Sequence, residues 1–132
     1  MTAEKLAIRV LQQCNLDTDD LQEYGEQIIA YLNDGYERLY NKWYDRYMPQ
    51  EKRFMSFSES PDLPERMHLA IADWATWLMY RNGNVSKQNR GVAFKIAFED
   101  FLSSVPRGGG IEGEEELSAR AKSMRFRNLY RS

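Results

Sequence analysis

The chain has 132 residues, 42% of them hydrophobic and 29% charged, with a formal net charge of -2, which is the make-up of one globular domain rather than of a disordered chain. A single cysteine (Cys14) and a single histidine (His68) exclude a disulfide framework and zinc-site spacing, so no cofactor is expected. No stretch approaches the ~18 consecutive apolar residues of a membrane span, and MTAEKLAIRV has neither the apolar core nor the cleavage site of a secretory signal, so an intracellular protein with no membrane contact is expected.

Residues 3 to 14 place Ala7, Val10, Leu11 and Cys14 at helical spacing behind Thr2, an N-cap, and predict a short amphipathic helix ending near Asn15. In LDTDD, Asp17 or Thr18 supplies capping oxygens, and the acids complement the positive end of a helix dipole. A long helix should start here. Its apolar positions Leu21, Tyr24, Ile28, Leu32, Tyr36, Leu39, Trp43 and Tyr47 run in steps of three and four, about seven turns, with no proline before Pro49. Gly25 and Gly35 inside it cost about 1 kcal/mol each relative to alanine and mark close helix contacts or a bend.

Residues 48 to 63 carry Pro49 and Pro61 and break the period, which predicts a loop in which KRFMSFS alternates enough for one short strand. The helical pattern restarts in DLPERMHLAIADWATWLMYRNGN, with Asp62 as cap, Pro64 in the first turn and Gly83 at the C-terminal end. Ser86 then caps a fourth helix to about Ser104, with Ala93, Phe94, Ala97, Phe101, Leu102 and Val105 inward, and Pro106 stops it. The expected fold is all-α: a small bundle of about four helices, one long, over residues 1–106, followed over 107–132 by a glycine-rich joint and an extended flexible C-terminal arm.

Catalytic signatures do not emerge. His68 lies mid-helix with no GxSxG elbow near any serine, and reads as a structural boundary histidine; Cys14 reads as a small buried hydrophobe. The acids of DTDD and GEEEL sit at helix starts, where dipole complementarity accounts for them, and neither fits a calcium loop. RGGGIEG lacks the preceding strand and the GK[ST] ending of a phosphate loop, so it reads as a linker. The expectation is a protein that is not an enzyme, with no catalytic, metal or cofactor residues.

Charge is divided unevenly. Residues 1–106 hold 12 Lys+Arg against 16 Asp+Glu, whereas 107–132 hold 6 against 4, with no acid after Glu116. In the tail Arg120, Lys122, Arg125, Arg127 and Arg131 interleave with Met124, Phe126, Leu129 and Tyr130. Such a mixture can grip phosphates and stack on bases, dock on an acidic protein surface, or stay solvated. Docking on protein is preferred, because the acidic body offers no second basic surface. Aromatic side chains also stand off the main apolar stripes: Trp77 and Tyr80 on the third helix, and Tyr31, Tyr40 and Tyr44 on the long one. These five are assigned to a subunit interface in a homo-oligomer, in preference to burial on a second face inside the bundle or to tyrosines that hold their hydroxyls at an ordinary surface.

The opening helix AIRVLQQCNL, the tyrosine- and tryptophan-rich helix ending YNKWYDRY, the segment LPERMHLAIADWATWLMYRNGN and the arm after the last helix together resemble the head-to-tail connector (adaptor, or head-completion) proteins of tailed bacteriophages. The resemblance covers most of the chain and rests on helical pattern. It implies a ring, commonly of about twelve copies, beneath the portal protein, with DNA passing non-specifically through its centre. It further implies a virion protein of the head-tail junction assembled in the host cytoplasm. Portal docking would fall to the segment from Arg107 to Ser132, with Gly108, Gly109 and Gly110 as joint and Phe126, Leu129 and Tyr130 as anchors. The loop from Met48 to Pro61 would face the next tail component. The alternative is a small helical nucleic-acid-binding protein, a regulator or packaging-associated protein, gripping phosphate with the tail and presenting Gln88, Asn89 and Arg90 after a short turn.

Overall fold

The computed structural model describes residues 1–114, all-α throughout, with no strand among the described residues. Thr2 opens α1 (Ala3–Gln13) by accepting a hydrogen bond from the Lys5 backbone N–H, as its sequence position predicts. A 3-10 turn over Thr18–Asp20, closed by reciprocal bonds between Asp17 and Asp20, delivers the chain into α2 (Leu21–Trp43). The third long helix, α3 (His68–Arg81), and the fourth, α4 (Val85–Ser104), form an antiparallel-connected pair across the Asn82–Asn84 turn, and a short α5 (Gly109–Glu114) follows.

The element in the middle is α3. It packs on α1 and α2 on one side and on α4 on the other. Its sequence permits this: Ala70, Ala72, Ala75 and Thr76 are small enough to let neighbouring helices approach, while Met67, Ile71, Trp74 and Leu78 fill the space between. On α2 the buried side chains are Ile28, Leu32, Tyr36, Leu39 and Tyr40, and Gly35 brings its backbone against the Cβ of Trp74. Gly25 likewise faces the ring of Phe57, so both glycines mark close contacts.

Several boundaries fall elsewhere than the sequence periodicity placed them. The long helix stops at Trp43, short of Tyr47, which is 89% exposed. Asp45 adopts a left-handed conformation (φ 50°), and the Asn41 carboxamide accepts the Met48 N–H at 2.7 Å, so a local side-chain bond captures the backbone before another turn can form. The segment KRFMSFS forms no strand because Asn33, buried in α2, takes the place of a partner strand: its amide donates to the Phe54 carbonyl (3.1 Å) and its oxygen accepts the Phe54 N–H (2.7 Å). Asp62 does not cap α3. Its carboxylate is held by Lys52 (3.0 Å) and by the Tyr44 hydroxyl, and a 3-10 turn over Glu65–Met67 leads into the helix instead.

The cap of α4 is Asn84, whose side chain accepts the Lys87 N–H, rather than Ser86. The inward face of α4 is also rotated from expectation. Gly91 and Phe98 are buried; of the expected set Val105 is buried and Phe94, Phe101 and Leu102 are half-buried, whereas Ala93 and Ala97 are exposed. A two-stripe sequence explains the error, since apolar residues lie on both sides of this helix and periodicity alone does not say which side meets α3.

Gly91 sits at the α3–α4 crossing. A Cβ there would lie 2.5 Å from the Tyr80 Cβ and 2.9 Å from the Trp77 ring, distances no packed carbon tolerates. Gly91→Ala is expected to lower unfolding free energy by about 1–3 kcal/mol in denaturant titration, against roughly ±0.5 kcal/mol for Ala93→Ser on the exposed side. Equal stability of Gly91→Ala and wild type would show that α4 does not lie this close to α3.

Candidate functional site

The tyrosines proposed for an interface are mostly used within the chain. Tyr40 and Tyr44 are buried, at 0% and 3% exposure, so neither offers a surface to another subunit. Tyr36 and Tyr40 on α2 and Tyr44 at its C-terminal cap stand one turn apart; ring centroids are 6.0 Å apart for the first pair and 4.5 Å for the second, and Phe54 closes on Tyr36 at 4.9 Å. The loop after α2 covers this ladder. The Asp62 N–H donates to the Tyr36 hydroxyl (2.8 Å), and the Tyr44 hydroxyl donates to the Asp62 carbonyl (3.0 Å). The hydrogen bond to Asp62 also raises the Lys52 ammonium above its usual range.

Trp77 is half-buried against α4 with Lys95 over its ring, and Tyr80 stacks on Phe94 while its hydroxyl donates to the Gln13 carbonyl (3.0 Å). Both side chains are thus half-buried within the single chain. Tyr31 is half-buried, and its hydroxyl accepts from the Gln27 and Asn82 side chains.

The expected joint is packed. Gly108 donates its N–H to the Lys42 carbonyl (2.9 Å), Lys42 donates to the Leu102 carbonyl, and Arg107 pairs with Asp45 at 3.1 Å. Gly109 and Gly110 lie flat on the Trp43 ring, where a Cβ would come within 2.4 Å and 2.6 Å of it, and Gly110 is buried. The three glycines are therefore a docked root rather than a free linker, and the packed body continues past Pro106 through at least Ile111. Positive φ at Gly108 (77°) makes the turn that lays α5 on the end of α2. Arg120, Lys122, Arg125, Phe126, Arg127, Leu129, Tyr130 and Arg131 lie outside the described residues.

His68 is buried, not at a boundary: its Nε2 lies 2.8 Å from the Leu63 carbonyl and its Nδ1 2.9 Å from the Met1 amine. Cys14 is half-buried, and burial pushes its thiol up to about 11. Burial also raises the Asp73 carboxyl, partly offset by the bond it accepts from Gln13 (3.1 Å). Among the described residues no three His, Cys, Asp or Glu side chains are placed to hold a metal ion, and no helix is long and apolar enough to cross a membrane.

Tyr47, Met55 and Leu69 expose apolar side chains singly, and two further surfaces bear on association. The first is the outer stripe of α4, where Val85 (71% exposed), Val92 and Ile96 (52%) follow at helical steps with Ala93 beside them. Residues 85, 89, 92 and 96 repeat in steps of four and three, parallel to the inward set, so the stripe was legible once both sets had been written out. The second is a groove of about 270 Å³ between α1, α2 and α3, lined by Cys14, Leu16, Tyr24, Met79 and Tyr80, with Lys87 on its rim. Of the supposed base-reading residues, Gln88 is committed elsewhere: its amide donates to the Arg81 and Gly83 carbonyls and caps α3.

Gly110→Ala forces its methyl into the Trp43 indole and should lift the root off α2. Tryptic cleavage after Arg107 is expected to accelerate about tenfold, the equivalent of about 1.4 kcal/mol of local stability. An unchanged cleavage rate would contradict the docked root.

No family model, no curated protein and no solved structure matches this chain.

Proposed function

We propose that the chain is a structural assembly protein, a head-to-tail connector of a tailed bacteriophage particle, which acts by binding and not by catalysis. In this reading several copies close a ring under the portal, DNA slides through the centre, and the C-terminal segment after the glycine root docks on the portal. The observation that carries it is the outer stripe of α4. Val85, Val92 and Ile96 are large apolar side chains left in water on one helix face, although the bundle already has a filled core. A surface of this kind serves association, and burying it against a neighbouring copy is what a ring requires.

Three further features support the reading. The sequence segments that resemble connector proteins coincide with α1, α2 and α3, the helices that build the body. The body is acidic over 1–106, so a DNA strand passing near it meets repulsion rather than a grip. The root at Gly108–Gly110 is packed on the end of α2, so the chain ahead of the basic segment has a fixed position on the body.

The test uses the full chain with the portal of the same particle. Wild type is expected to form rings on the portal under negative-stain electron microscopy, and Val92→Glu/Ile96→Glu to leave single copies while keeping its helical circular dichroism. Ring formation by the double variant would remove α4 from the interface, and absence of any portal-bound wild type would sink the connector reading.

A further inference from the structure

Between Arg9 and Arg38 the sequence contains no lysine or arginine, yet it carries seven acids. Asp34 and Glu37 are paired, with Arg38 (3.0 Å) and Arg53 (2.7 Å). The other five, Asp17, Asp19, Asp20, Glu23 and Glu26, cluster where α1 turns into α2, and none of them has an ion-pair partner among the described residues. They do not stand on a bare polar surface. Asp17 follows Leu16, and Asp20 and Glu23 precede Tyr24 and Gln27 by one helical turn, on the same face of α2. Leu16, Tyr24 and Gln27 line the groove described above, so a recess with both apolar and polar walls opens beside uncompensated negative charge.

The same chain contains the complement. From residue 117 to 132 there are five positive charges and no acid, interleaved with Met124, Phe126, Leu129 and Tyr130. Reach allows the two to meet within one molecule. The root lies on Trp43, and the nineteen residues back to Tyr24 span about 28 Å of helix. Twelve residues of extended chain beyond Glu114 cover up to about 40 Å, which brings the stretch around Phe126 to the groove.

We propose that the basic segment 118–132 docks on its own body, with its Arg and Lys side chains against the acidic start of α2 and one of its apolar side chains in the groove between α1, α2 and α3. The contact stores the segment on the body until a partner with a better surface displaces it. Lys87 of α4 is the one cation among the described residues that line the groove. Opposite charges at an exposed site make the contact dependent on salt, and the apolar anchor gives it position.

Cys14 lines this groove and is the only thiol in the chain, so its alkylation reports whether the groove is covered. The full chain is treated with a small neutral thiol reagent at low salt, beside Arg120→Glu/Lys122→Glu/Arg125→Glu/Arg127→Glu, whose changes all lie outside the described residues. The reversed segment is expected to react about tenfold faster, and wild type to reach the same rate when salt rises to about 0.5 M. Adding Glu23→Lys/Glu26→Lys to the reversed segment should restore protection, which a change in folding alone would not do. Equal rates for wild type and reversed segment overturn the docking. Protection that grows with protein concentration overturns it too, because a second copy would then be supplying the segment.

Discussion

A fourteen-residue helix buried on both of its broad sides is the constraint on which this structure depends. Helix α3 has α1 and α2 behind it and α4 in front, so almost every side chain it carries must fit a neighbour. Its small residues set the spacing, and its aromatics reach out to the flanks: the Trp74 indole N–H donates to Asp34 on α2 while its ring meets Phe98 on α4 with centroids 4.8 Å apart. The partners have to yield space in return, and α2 and α4 do so with Gly35 and Gly91 at the points of closest approach. What remains of α2 is covered by an irregular segment that Asn33 and Asp62 tie down by backbone hydrogen bonds.

This arrangement determines which surfaces are left for function. The tyrosines of α2 are spent on holding the 48–63 segment, and Trp77 and Tyr80 on holding α4 and α1, so aromatic richness here reflects thin layers that need wide side chains. Among the described residues the surfaces left over include the outer side of α4 and the groove at the start of α2. An apolar stripe and a groove beside unpaired acids are both suited to association.

Sequence periodicity carried the helices well where one stripe was apolar. In α1 the Thr2 cap and the Ala7–Val10–Leu11 spacing placed the element to within a residue, and the start of α2 followed from LDTDD. It failed where a long-range partner decided the outcome. Nothing local shows that Asn33 will bond Phe54 twenty-one residues away, or that Asn41 will end the helix by capturing Met48. In α4 the two apolar stripes are equivalent until α3 selects one. The glycines of RGGG read as a joint because glycine usually means freedom, whereas here the absence of a side chain is what lets the backbone lie on Trp43.

Whether the basic segment serves a protein surface or a nucleic acid separates the connector account from a DNA-reading one, and a binding titration decides it. The full chain is titrated into labelled DNA duplexes of several sequences at low and at near-physiological salt. The account predicts weak binding, alike for every sequence, that disappears as salt rises, because only phosphate attraction contributes. Binding that persists at the higher salt and prefers one sequence would contradict it, since that requires contacts to base edges.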